Sequence, residues 1–221
     1  MNPIAKRTVT ALTIAAILIV LLLKLPREVF PYIIGTFGLL AVIEYTQLLR
    51  IKKTPHFVSA FLAGTALLVA AFSMLSWIGE VQGNMWLLFT IAVVKISDMG
   101  GFAFGLGSKK LFGDNHKLCP SISPGKSWEG LFGSVFGSCL VSFGFTPFTK
   151  FPWYLSLAIA FTAALVGTFG DLVESKFKRW VGVKDSATMK FTNGMGGILD
   201  MFDSLIFAPA AIWGLILAFA A

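Results

Sequence analysis

The chain has 221 residues, 56% of them hydrophobic and only 13% charged, with a mean hydropathy of +0.81 and a net charge of +7. That composition excludes an ordinary soluble domain and points to an integral membrane protein. The two cysteines, Cys119 and Cys139, lack metal-ligand spacing and are read as free thiols, and the positive excess is read as loop and anionic-lipid contact, with no nucleic-acid partner.

Apolar runs cover residues 8–25, 29–49, 57–79, 84–107, 130–147, 152–169 and 198–221. Each is near the roughly 20 residues that a spanning helix needs. The expected fold is therefore all-α: a polytopic membrane protein of about seven transmembrane helices, one domain over residues 1–221. Lys6 and Arg7 precede the first run, and Leu23-Lys24-Leu25-Pro26 offers no small-residue cleavage site, so the run is read as a span. With seven spans, Lys6, Arg7, Arg50, Lys52, Lys53, Lys109, Lys110, Lys117, Lys126, Lys176, Lys178, Arg179, Lys184 and Lys190 share one side, against Lys24, Arg27 and Lys150 on the other. This asymmetry places the N-terminus and the polar clusters inside, in the cytoplasm.

Glu44 lies deep in the second run, where it pairs with Lys95 or lines a site. Asp98 follows the fourth run, as a functional acid or as the cap of a helix restarting at Met99. Gly101 and Gly105, and again Gly133 and Gly137, stand at the spacing that suits close helix packing, within one chain or between two in a homodimer. The loop 108–129 carries two prolines and several glycines and serines, which argue against a helix through its centre. Its Ser121, Ser123, Lys126 and Ser127 could cradle phosphate or be plain solvated groups. His56 and His116 stand alone and are read as surface residues.

Residues 170–204 concentrate the charge. Asp171 and Glu174, and Asp200 and Asp203, form two acidic pairs at i, i+3, so each pair shares a helix face, and a basic stretch lies between them. Carboxylates hold a hard cation such as Mg²⁺, and Lys and Arg hold phosphate. The pairs could also be helix-end charges and the basic run a membrane anchor. Together they point to metal-assisted phosphoryl or nucleotidyl transfer at a membrane surface.

The order of these residues is similar to a known signature. Ser175-x-x-Lys178-Arg179, then Lys184-Asp185, then Gly196-Gly197-x-x-Asp200-x-x-Asp203 closely resembles that of the phosphatidate cytidylyltransferase family, also called CDP-diacylglycerol synthases. Ser97-Asp98, the block from Ser121 to Gly130, and Gly170-Asp171-Leu172-x-Glu174-Ser175 resemble the family's other blocks, in its order. This chain departs in three ways. Met195 stands where the family usually has His, the link from Asp185 to Gly196 is slightly longer, and the N-terminal half is shorter than in many members.

The resemblance implies a catalytic half over residues 97–221, after N-terminal spans in 1–96. It implies transfer of CMP from CTP to phosphatidic acid, giving CDP-diacylglycerol and pyrophosphate for phospholipid synthesis, with Mg²⁺ and a second cation as cofactors. Asp171 and Asp200 would be ligands, joined by Glu174, Asp203 and Asp98 as ligands or supporting groups. Lys126, Lys178, Arg179 and Lys184 would hold phosphates, and Ser121, Ser123, Ser175, Asp185, Gly196 and Gly197 would complete the substrate site. It also implies a homodimer in the bacterial inner membrane. A CTP-dependent lipid kinase and a cation-coupled transporter are the other readings; the transporter would place its acids mid-span.

Overall fold

The computed structural model describes residue 20, residues 24–183, residue 186 and residues 197–220. The expected first span lies almost wholly outside them. A 3₁₀ turn at Arg27–Val29 leads into α1, Phe30–Lys52; α2 follows at Phe57–Trp77 and closes in a wide turn at Ile78–Gln82. Then come α3, Asn84–Phe112; a hairpin of β1, Lys117–Cys119, and β2, Ser123–Ser127; α4, Trp128–Gly144; the single turn α5, Thr146–Thr149; and α6, Trp153–Val181. The chain ends with α7, Ile198–Phe202, and α8, Ala208–Ala220.

Four stretches among the described residues are long and apolar enough to cross a membrane: Arg27–Lys52, Phe57–Gln82, Asn84–Phe112 and Trp153–Val181. Large apolar side chains such as Tyr32, Phe112, Phe132 and Trp153 stand on the outer surface, as a lipid-facing bundle requires. The sixth and fourth runs continue as helix well into their charged ends. Gly182 ends α6 with a positive φ of 94°, its amide bonded to the Lys178 and Arg179 carbonyls.

The structure corrects two expectations. The run 198–221 is not one span. α7 and α8 are separated by a turn, where Asp203 Oδ1 accepts from the Ser204 amide at 2.6 Å and Pro209 can only open the next helix. Nor does a helix restart at Met99: α3 runs unbroken through Asp98, which stands at its midpoint. The loop 108–129 has no helix through its centre, as expected; a hairpin fills it, and only its ends, to Phe112 and from Trp128, are helical.

The glycine spacing is used inside this chain. α3 and α4 pack so closely that a Cβ on Gly133 would collide with the Gly100 carbonyl and with Phe104, and one on Gly137 would lie 2.6 Å from the Ile96 carbonyl. Ser97 Oγ donates to the Ser134 carbonyl at 3.1 Å across the same seam. We expect Gly133→Leu to force the helices apart and cost about 3 kcal/mol, read as a lowered Tm in detergent; an unchanged Tm would contradict the seam.

Two apolar clusters complete the core. One, around Phe89, Val93, Ile159, Ile212 and Trp213, ties α3, α6 and α8 together. The other, around Leu48, Phe72, Val181, Ile198 and Leu199, seats α7 against α1, α2 and the end of α6.

Candidate active site

Close backbone approach builds the site. α6 passes the α7–α8 turn so tightly that a Cβ on Gly170 would lie 2.6 Å from the Asp203 carbonyl. Asp171 therefore meets Asp203. Asp98 reaches the same point from α3, and the three carboxylates offer oxygens within 4.8 Å of one another. Lys95, one turn before Asp98, lies 3.2 Å from Asp98 Oδ2 and 3.9 Å from Asp203 Oδ1, and donates to Ser204 Oγ at 2.9 Å. Ser204 in turn donates to Asp98 Oδ2 at 2.7 Å. From β2, Lys126 Nζ reaches Asp171 Oδ2 at 2.7 Å and the Thr168 carbonyl at 3.2 Å. Burial, then the charge of Asp171, push the Asp203 carboxyl up to about 8 against the pull of Lys95.

The donor set fits a hard cation. Asp171 Oδ1 is buried without a hydrogen-bond partner among the described residues. A spread of 4.8 Å or less is close to the roughly 3–4 Å between oxygens around an octahedral Mg²⁺ ion.

A second cluster lies one helical turn away. Lys178 Nζ is 2.6 Å from Glu174 Oε2 and 2.6 Å from Asp200 Oδ1, with side chains only 13%, 6% and 16% exposed. Asp200 Oδ2 accepts from the amides of Gly197 at 3.0 Å and Ser186 at 3.2 Å. Burial works to raise the Asp200 carboxyl, but its hydrogen bonds with Glu174, then Lys178 and the Gly197 amide, prevail and hold it at about 2. So each i, i+3 pair gives one acid to each cluster: Asp171 and Asp203 to the first, Glu174 and Asp200 to the second. A turn of α6 lies alongside a turn of α7, and the acids match across the gap.

A cleft of about 350 Å³ opens onto the first cluster. Asp98, Asp171, Lys126, Ser127 and Thr168 form its polar wall, and Gly101, Phe102, Leu118 and Leu131 its apolar one. The hairpin that carries Lys126 is clipped to α4. His116 Nδ1 lies 2.7 Å from Glu129 Oε1, and the Trp128 amide donates to the His116 carbonyl at 2.9 Å. His116 is the exposed surface residue expected, but not a lone one: its hydrogen bond holds the Glu129 carboxyl at about 2.

Residues 56–219 match the model of the cytidylyltransferase family. The chain belongs to the cytidylyltransferase family. It is 34% identical over 213 residues to a phosphatidate cytidylyltransferase of Staphylococcus epidermidis, covering 94% of this chain and 79% of that protein. It is 35% identical over 216 residues to one from Staphylococcus aureus, with the same coverages. To that of Staphylococcus saprophyticus it is 42% identical over 128 residues, 57% of this chain and 46% of the relative.

Of the residues singled out in the sequence, the structure places Asp98, Asp171 and Lys126 in the cleft wall, with Asp203 beside them in the three-carboxylate cluster. Glu174, Lys178, Asp200 and Gly197 meet in the second cluster. Ser121, Ser123, Ser175 and Arg179 lie outside the cleft lining, and Arg179 donates to the Val183 carbonyl at 3.3 Å. Lys184, Asp185, Met195 and Gly196 fall outside the described residues. Glu44 does not pair with Lys95. It accepts from the Leu199 amide at 2.8 Å, while Lys95 turns to Asp98, Asp203 and Ser204. Lys95 and Ser204 are the site residues that sequence reasoning missed. The i, i+3 spacing of Lys95 and Asp98 was the available signal for the first; Ser204 offered none.

Proposed function

We propose that this chain transfers the CMP moiety of CTP to phosphatidate, forming CDP-diacylglycerol and releasing pyrophosphate. One observation carries the reading: in a member of this family, three carboxylates and two ammonium groups cluster together, with Asp98, Asp171 and Lys126 facing a cleft, within a bundle of apolar helices long enough to span a membrane. The lipid's acyl chains stay in the bilayer, and its phosphate meets CTP at the cleft.

Asp98, Asp171 and Asp203 would hold Mg²⁺, which would supply positive charge against the phosphate oxygens. Lys95 keeps Asp98 and Asp203 aligned. Lys126, anchored on Asp171, offers its ammonium to a substrate phosphate entering the cleft. The attacking oxygen belongs to a phosphomonoester whose second pKa is about 6, so it arrives deprotonated at neutral pH. No side chain has to remove a proton, and Met195 in place of His is compatible with this chemistry. Asp200 and Glu174 act through Lys178, which ties α6 to α7. The site faces the cytoplasm, where CTP is available, in a bacterial inner membrane with the N-terminus inside.

The deciding experiment supplies purified protein with phosphatidate, Mg²⁺ and CTP labelled at either the α- or the γ-phosphate. Label from the α-position in lipid, with pyrophosphate released, is the expected result. A γ-label in lipid would make the chain a kinase instead. We also expect Lys126→Met to lower kcat/KM about tenfold to a hundredfold, mostly through KM for the phosphate-bearing substrates; an unchanged KM would remove Lys126 from the binding site.

A further inference from the structure

Glu44 is wholly buried in the middle of α1, yet it takes no part in the three-carboxylate cluster. An ionisable side chain at such depth in a spanning helix is costly to keep and is a functional candidate by default. Its hydrogen bonds with described residues converge on one place. Oε2 accepts from the Leu199 amide at 2.8 Å and from Ser186 Oγ at 3.5 Å. Gly197 leaves room for it, since a Cβ there would collide with both Glu44 and Ser186. Ser186 passes the contact on: its Oγ accepts from the Asp200 amide at 3.4 Å, and its own amide donates to Asp200 Oδ2 at 3.2 Å. Asp200 then holds Lys178.

α7 needs such a pin. It has only five residues, too few to be stable by its own hydrogen bonds, and it must present Asp200 to one cluster and Asp203, one turn on, to the other. A slip of one residue would rotate its side chains by about 100° and shift them by about 1.5 Å, taking both acids out of place. Asp200 is anchored by Lys178 from α6; Leu199 is anchored by Glu44 from α1.

We infer that Glu44 is a positioning residue for the cytidylyl transfer: it sets the register of α7, and through it the placement of Asp200 and Asp203. The inference rests on the function proposed above. It acts through a hydrogen-bond acceptor, so the conservative variant should rescue it.

The test uses full-length protein in detergent, with turnover measured per folded molecule. Glu44→Ala should lower kcat about tenfold to a hundredfold, while Glu44→Gln, which still offers an oxygen to the Leu199 amide, stays within about threefold of the wild type. In an Asp200→Asn background, adding Glu44→Ala should cost less than about twofold, because both act through one segment. Wild-type kcat in Glu44→Ala, equal damage in Gln and Ala, or independent multiplication with Asp200→Asn would each overturn it. If Glu44→Ala does not fold, Ser186→Ala carries the same cycle. Hydrogen exchange without substrate separates this inference from the reaction itself. The peptide carrying Leu199 should exchange faster in Glu44→Ala with α3 and α4 unchanged, and unchanged exchange there would overturn the contact even if the lipid substrate proves to be different.

Discussion

Asp171→Asn reduces kcat by about 10³-fold and leaves the fold intact. This carboxylate is where the two polar systems of the cleft meet: it faces Asp98 and Asp203 on one side and Lys126 on the other. Asparagine keeps the shape and can still accept from Lys126, but it loses the charge that a divalent ion requires, and it turns an N–H₂ group toward one of the sites now held by a carboxylate oxygen. The loss should therefore fall on kcat and on the Mg²⁺ concentration needed for half-maximal rate. Stability should change little, since removing one of three crowded acids relieves repulsion as it weakens the Lys126 pair. Transfer of α-label from CTP to lipid at saturating Mg²⁺, with Tm measured beside it, checks both parts. Retention of more than a tenth of the wild-type kcat would remove Asp171 from the metal site.

Lys178→Met should be the most destabilising single change in the second cluster, by about 3–5 kcal/mol. Its ammonium is the shared partner of Glu174 and Asp200, all three largely buried. Taking it away leaves two acids facing each other with no cation between them, and α7 loses its link to α6. The result should be a sharp fall in Tm and in folded yield, with activity lost alongside. Removing one acid as well should recover part of it: Lys178→Met with Glu174→Gln should melt above Lys178→Met alone, because the surviving Asp200 keeps its backbone bonds to Gly197 and Ser186. If the double variant melts lower than the single one, the cluster is not an ion-pair network. If Lys178→Met keeps its stability and loses only affinity for CTP, the ammonium serves the phosphate instead of the fold.

The glycine pattern shows how far a local signal reaches. Spacing at Gly101, Gly105, Gly133 and Gly137 correctly marked a close helix crossing, but spacing carries no label for the partner helix. Only the packed chain assigns the crossing to α3 against α4. The acidic pairs behave the same way. Their i, i+3 separation was legible, and so was the family resemblance that their order carries. Which acid of each pair joins which cluster was not, because that depends on how α6 and α7 lie against each other at Gly170.

Composition and hydropathy by themselves determined that this is an apolar, helical membrane protein, since each spanning helix must satisfy its own backbone inside lipid and so writes its length into the sequence. Motif order determined the family and the list of candidate residues, because the chemistry restricts which side chains can serve. Tertiary structure alone decided the assembly of the site: Lys95 turned toward Asp98 and Asp203, Asp200 set apart with Lys178, Glu44 brought to Leu199 across 155 positions of chain. The reason is physical. A helix fixes its neighbours three and four residues away, whereas contacts between distant segments follow from which small residues let backbones approach, and that is settled only when the helices pack.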